Sequence, residues 1–221
     1  MLNVIFEDNH LLVVEKPVNI LSQGDNTNDD DMVNLLKKYL KEKYNKPGNV
    51  FVGLVHRLDR PVGGIMVFAK TSKAASRLSE QVRNKMFKKT YKAVIHGDMK
   101  KREDNLSDYL YKDKKTNMVS VVNKNHKDAK DAKLSYKTLA SNNGFSLVEI
   151  DLQTGRPHQI RVQFSSRNHP LYGDQRYGKN VNKKGQQIAL WSYKIEIEHP
   201  TKKEKMEFIC EPPNKYPWNM F

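Results

Sequence analysis

The stretch VGLVHRLDRPVGGIMVFAKTSKAASRLSEQ, residues 52–81, contains the end of one apolar run, a charged turn, a second apolar run and a helical pattern. Residues 50–55 (VFVGLV) and 63–71 (GGIMVFAKT) read as β runs. Residues 72–84 (SKAASRLSEQVRN) read as a helix with Ser72 at its N-cap and Ala75, Leu78 and Val82 along one face. Between the two β runs sits HRLDRP, residues 56–61. If it is extended, Arg57 and Asp59 share one face and His56 and Leu58 the other. The plain reading is an exposed ion pair at a strand end, worth about 0–1 kcal/mol. The sharper reading is a carboxylate kept ionised by neighbouring guanidinium groups, able to serve as nucleophile or general base. Gly63 and Gly64 then let a ligand approach the backbone closely.

Working outward, the same alternation of short strands and few helices continues. Residues 4–6 and 11–17 form a strand pair across EDNH. A polar loop follows at residues 22–31. Met32, Leu35, Leu36, Tyr39 and Leu40 then recur at helical spacing until NKPGN stops the helix. In KKTYKAVIHG, residues 88–97, Tyr91, Ala93 and Ile95 alternate with Thr90, Lys92, Val94 and His96, as in a strand. Tyr91 on the apolar face reads first as a core tyrosine. Residues 97–131 are polar and lysine-rich, with one strand, NMVSVVN, inside them. Residues 132–140 and 145–153 pair as a hairpin across SNNG. Residues 154–168 (TGRPHQIRVQFSSRN) read as a helix capped by Thr154, with Pro157 in its first turn. On that helix His158 and Arg161 are neighbours, and Ile160 and Phe164 face the core. Arg161 lies near the buried side, so it needs a carboxylate partner, and Asp59 is one candidate. A last antiparallel pair spans residues 186–213, with Cys210 as a small residue in the terminal strand. The pattern is that of an α+β protein with a mixed, largely antiparallel sheet and flanking helices, organised as a single domain over residues 1–221.

The bulk numbers constrain the partner. The 221 residues carry 39 Lys and Arg against 25 Asp and Glu, a net charge of +14. Polyanions are attracted to such a surface, and nucleic acid is the commonest. One cysteine builds neither a disulfide nor a Cys-rich zinc site. The N-terminus has no signal-peptide pattern and no run approaches membrane-spanning length, so a soluble cytoplasmic protein without membrane association is expected. There is no phosphate-binding GxxxxGK[ST] loop, no GxGxxG, no HExxH and no GxSxG. The histidines show no metal-ligand spacing. The expected chemistry uses neither metal nor cofactor.

Taken together and in order, VIFEDNHLLVVEKPVNILSQ, VHRLDRPVGGIMVFAKT, KKTYKAVIHG, DLQTGRPHQIRVQF and HPLYGDQRYG, with the late IALWSYKIEIEHP, resemble the RluA-type family of RNA pseudouridine synthases over nearly the whole chain. The resemblance implies a sheet with a cleft across its middle and an isomerase acting on uridine in structured tRNA or rRNA. It matches Asp59 to the catalytic aspartate of the HRLD motif. Tyr91 matches the active-site tyrosine, as base or as packing for the target base. Arg161 matches the arginine that pairs with the aspartate, and Arg57 the arginine that enters the RNA stack when the uridine flips out. His56, Arg60, Arg156 and His158 complete the candidate RNA contacts. Tyrosine's reference pKa of about 10 makes a nearby cation such as Arg161 useful. Val62-Gly63-Gly64 departs from the usual Thr-Ser-Gly, and Arg161-Val162-Gln163 from Arg-Val-His. The chain starts at the catalytic motif, so a short form without an N-terminal RNA-binding domain, acting as a monomer, is expected. Lysine-rich stretches at 85–92, 112–133 and 179–184 are candidate phosphate contacts. A non-catalytic RNA-binding or chaperone protein of the same fold is the alternative; a uracil-removing glycosylase is a third.

Overall fold

The computed structural model describes residues 2–25, 27 and 29–221. The polar loop expected over 22–31 includes positions 26 and 28, and the N-terminal stretch includes position 1; these three lie outside the described residues. The chain divides into two compact units. The first comprises Met1–Lys88 with Ser192–Glu211, the second Lys89–Trp191 with Pro212–Phe221.

In the first unit, β1 (Asn3–Glu7) and β2 (Leu11–Lys16) form the expected antiparallel pair. Their turn is held by Asp8, whose carboxylate accepts from the backbone N–H groups of His10 and Leu11, both at 2.7 Å. β2 then pairs antiparallel with β4 (Gly63–Ala69), from Leu11 opposite Ala69 to Lys16 opposite Gly64. All seven residues of β4 are buried. Both faces of that strand are covered, which is why its sequence is an unbroken apolar run rather than an alternation. Leu11, Val13, Ile65 and Val67 meet Ala74, Leu78, Ile195 and Phe208 in one core. β10 (Leu190–Glu198) lies beside β4 and pairs antiparallel with β11 (Lys205–Ile209). Cys210 falls one residue past that strand.

The VFVGLV run yields only a two-residue strand, β3 (Gly53–Leu54), on the edge of β4. Helix α1 (Met32–Lys43) is capped by Asp31, and α2 (Ser72–Arg83) is capped by Thr71 rather than Ser72. The Thr71 hydroxyl accepts from Ala74 N–H, so the N-cap lies one residue earlier than the hydropathy pattern indicated.

The second unit is an antiparallel sheet in the order β5–β9–β8–β6–β7. Its strands are β5 (Lys88–His96), β6 (Glu103–Lys112), β7 (Val119–Val122), β8 (Lys130–Asn142) and β9 (Phe145–Leu152). The hairpin β8–β9 turns through Asn143 and Gly144, with φ of 51° and 76°. Two successive left-handed residues give the turn whose twist suits the flanking strands, and Asn-Gly is the sequence that tolerates it. β6 was not expected. Its inward positions run Leu106, Asp108, Leu110, and the aspartate breaks the apolar signal. Asp108 is satisfied by both terminal guanidinium nitrogens of Arg167, at 2.9 and 3.1 Å, and by the Gln163 amide at 2.7 Å.

Helix α3 (Gln159–Ser165) is shorter than expected. Residues 154–157 lie outside it, because His158 takes a left-handed conformation (φ 52°) and no residue before it can continue the helix. Thr154 is therefore no cap; its hydroxyl accepts from Lys133 N–H and donates to the Gln159 side chain. The resulting class is α+β with a largely antiparallel sheet, and no helix is long and apolar enough to cross a membrane.

A buried carboxylate ties α1 to the first unit's sheet. Glu7 accepts from Lys70 (2.7 Å), Tyr44 (2.7 Å), Lys43 (2.8 Å) and Tyr39 (3.0 Å). Burial alone would raise its pKa; these four donors outweigh it and hold Glu7 at about 2. The folded value is below the unfolded one, so its stabilisation is complete above about pH 4.5 and disappears as pH falls through 2. Glu7→Gln should destabilise the protein by about 2 kcal/mol at pH 7. In urea titrations the gap to wild type should close as the pH is lowered to about 2.

Candidate active site

Asp59 lies in an extended segment leading out of β3, and burial alternates along it as the sequence indicated. His56 and Leu58 are buried, Arg57 is exposed and Asp59 is half-buried. The backbone around Asp59 is gripped on both sides. The Ser22 hydroxyl donates to Leu58 C=O (2.8 Å) and accepts from Leu58 N–H (3.0 Å). On the other side, the Lys16 ammonium donates to the carbonyls of Pro17 (2.9 Å) and Arg60 (3.1 Å). Asp59 C=O itself accepts from Val62 N–H at 2.9 Å, closing a four-residue turn. The residue before Asp59, Asp59 itself and the residue after it thus each have a backbone carbonyl held in place.

Lys16 is 0% exposed, among the largest fully buried side chains of the molecule. Burial pushes its amine down to about 7, opposed by the nearby Asp59 carboxylate and reinforced by Arg60. Neither the role of Lys16 nor that of Ser22 is legible from local sequence pattern. The available signal was a lysine ending the apolar run LLVVEKP, where a charged group must find fixed partners or not be buried at all.

The other expected RNA contacts of this segment differ in setting. Arg60 pairs on the surface with Asp29 at 2.7 Å and donates to Asn19 C=O at 3.2 Å. His56 is 8% exposed, packs against Phe87 with ring centroids 5.0 Å apart, and its Nε2 accepts from Val67 N–H at 3.0 Å. That bond requires an unprotonated Nε2 and ties the segment to β4. His56 is thus packed and hydrogen-bonded within the first unit.

Gly64, which matches the glycine of the usual Thr-Ser-Gly, is required for a steric reason. Its φ is +111°, and a Cβ there would stand 2.3 Å from Ser192 C=O. β10 approaches so closely that a side chain has no space.

In the second unit, Tyr91 sits in β5 opposite Ile150 and is 6% exposed. Arg161, on α3, is also 6% exposed and does have the carboxylate partner its burial demands. Asp174 accepts from Arg161 Nε and Nη2, both at 2.8 Å. Asp174 further accepts from the backbone N–H groups of Arg176 (2.9 Å) and Tyr177 (3.1 Å). Burial would raise the Asp174 pKa, but Arg161 and these backbone donors lower it below the usual carboxylate range. The Tyr177 ring lies 5.2 Å from the Arg161 guanidinium. The Tyr177 hydroxyl accepts from Val119 N–H (3.0 Å) and bonds His158 Nδ1 (2.7 Å). With that hydroxyl donating to Nδ1, His158 carries its proton on Nε2.

The Arg156 Nε donates to Asp131 C=O at 2.8 Å. Gln159 organises the bend before α3: its Oε1 accepts from Thr154 and from Arg156 N–H, and its Nε2 donates to Lys133 C=O and Gln163. Gln163, in place of the family's histidine, spends its amide on Asp108. Asp174 and Tyr177, which hold and cover Arg161, both lie in the HPLYGDQRYG motif.

The comparisons with known proteins agree. The family model described as RNA pseudouridylate synthase matches residues 10–166. An uncharacterized RNA pseudouridine synthase of Bacillus subtilis is 34% identical over 90% of this chain and 65% of its own length. Ribosomal large subunit pseudouridine synthase D of Borreliella burgdorferi is 32% identical over 96% of this chain and 66% of its own. The chain therefore spans just under two thirds of the length of these relatives. The human structure titled RNA pseudouridylate synthase domain containing 4 shares the fold, with a TM-score of 0.78 at 20% identity, covering 96% of this chain and 88% of that one. From motifs, fold and relatives alike, this chain belongs to the RNA pseudouridylate synthase family, in its RluA-type branch.

Proposed function

We propose that this protein isomerises uridine to pseudouridine in structured RNA, and that Asp59 is its catalytic carboxylate. The observation that carries the reading is the backbone clamp around Asp59: two buried side chains, Lys16 and Ser22, are spent on holding one short turn. Fixing a carboxylate in this way is what electrostatic and orientational catalysis require.

In the proposed reaction the target uridine leaves the stack, at a cost of a few kcal/mol, and enters a pocket. Arg57, exposed beside Asp59, takes its place in the stack. The N1–C1′ bond breaks with Asp59 acting at the sugar, the uracil turns while held, and a C5–C1′ bond forms. The C5 proton leaves last. Tyr91 serves as the base or packs the uracil, and Arg161 supplies positive charge. His158, Arg60 and Arg156 are proposed RNA contacts. No metal or cofactor enters the scheme.

The substrate is proposed to be tRNA or rRNA. Relatives named for the ribosomal large subunit favour rRNA. Both units are proposed to work as one catalytic domain over residues 1–221, in a cytoplasmic monomer.

Tritium release from C5-labelled transcripts tests the reading. Wild type should release tritium, and Asp59→Ala should lower the rate by at least about 10⁴-fold with thermal stability retained. Wild-type-like release from Asp59→Ala would remove Asp59 from the chemistry. RNA binding without any release by wild type would leave an RNA-binding protein of the same fold.

The clamp makes a separate prediction. Lys16→Met keeps the volume but leaves the Pro17 and Arg60 carbonyls without their donor. Single-turnover rates should fall about 10- to 100-fold, with RNA affinity within about threefold of wild type.

A further inference from the structure

Lys89 opens the second unit, two residues before Tyr91 in β5. It is half-buried, and burial lowers its pKa. The other lysines with buried ammonium groups have fixed partners: Lys16 donates to the carbonyls of Pro17 and Arg60, and Lys70 pairs with Glu7. Among the described residues, no hydrogen bond or ion pair engages the Lys89 ammonium. Holding a cation in partly dry surroundings with no partner costs stability.

The ammonium lies over the backbone of Gly155, in the loop that leads into α3. A Cβ at position 155 would stand 3.4 Å from Lys89 Nζ. Glycine leaves that side of the ammonium open. Gly155 is itself exposed, and its N–H has no partner among the described residues. The same loop carries Arg156 and His158, and its shape is enforced by Gln159 from beneath. A partly desolvated ammonium beside an uncommitted backbone N–H, on a fixed loop, suits a singly charged oxyanion.

We infer that Lys89, over Gly155, is the seat of one backbone phosphate of the RNA substrate. The inference rests on the proposed RNA substrate, and it singles out one lysine among the chain's many. A phosphate supplies the counter-charge that the free protein lacks, so the cost of burying the ammonium is recovered when RNA binds. Specific phosphate contacts set the register of the RNA and carry no base information. Lys89 thus acts on placement of the strand and leaves the choice of base to other groups.

The test uses the full chain with unmodified transcribed large-subunit ribosomal RNA, comparing wild type, Lys89→Met and Lys89→Arg. Affinity is measured by fluorescence anisotropy between about 50 and 300 mM salt. Lys89→Met should bind about tenfold more weakly at 150 mM, and its log K against log salt slope should be shallower by about 0.7–0.9, one phosphate's share. Lys89→Arg should restore both. The melting temperature of Lys89→Met should equal or exceed that of wild type, because an unpartnered cation has been removed. Single-turnover rates at saturating RNA should stay within about threefold. An unchanged slope and affinity in Lys89→Met would overturn the inference. So would a rate loss at saturating RNA with the slope intact. If wild type converts no uridine at all, the isomerase reading fails, while the salt slope still judges Lys89 on its own.

Discussion

One buried ammonium organises the end of the first unit that carries Asp59. Lys16 stands at the last position of β2, opposite Gly64, and from there reaches the carbonyl that follows Asp59. Its reach is set by the register of β2 against β4. A slip of one residue would turn Lys16 to the other face and leave the turn unheld. The same pairing puts Gly64 where β10 comes too close for any side chain. Sheet register, a glycine and a lysine therefore form a single constraint, and the position of the Asp59 turn follows from it. His56 adds a second tie to β4 through Val67. The charged motif is short, yet it is anchored to a strand buried along its whole length.

The second unit solves a related problem with an ion pair. A guanidinium as buried as that of Arg161 is tolerable only with matched geometry and further hydrogen bonds to its partner. Asp174 meets both conditions, using Arg161 and two backbone N–H groups. The aromatic face of Tyr177 covers the guanidinium, and its hydroxyl fixes the orientation of His158. In such surroundings charges act more strongly than in water and do not have to reorganise during a reaction. Buried polar groups are here arranged for placement, at a cost in stability that the apolar core of each unit offsets.

Much of this was legible from the sequence. The β2–β4 core, the helices α1 and α2 and the β8–β9 hairpin are each carried by local signals: unbroken apolar runs, helical spacing and an Asn-Gly turn. The demand of Arg161 for a carboxylate was also legible, from its place between Ile160 and Val162. Its partner Asp174 was not, because thirteen positions and a loop separate them. β6 was hidden since one of its three inward positions is an aspartate, made acceptable only by Arg167 from a distant segment. The start of α3 was misplaced because Thr154 and Pro157 imitate a helix start. The left-handed His158 and the Gln159 side chain override that local signal. In each case the missing information is a long-range partner that makes an unfavourable local choice affordable.

The chain's route through the two units bears on its synthesis. The second unit is inserted between Lys88 and Ser192 of the first. A ribosome therefore completes β1, β2 and β4 long before it makes β10, their neighbour in the same unit. At about 5–20 residues per second, the roughly 120 residues between Ala69 and Ser192 occupy roughly 6–24 s. During that interval the strongly apolar edge of β4 waits without its partner strand, and an unpaired apolar edge is the usual template for association between chains. The second unit has only a ten-residue C-terminal tail to await, and its β8–β9 hairpin forms locally within microseconds. Nascent chains are thus most exposed to aggregation after Ala69 has emerged and before Ser192 has, and a holding chaperone would act in that window.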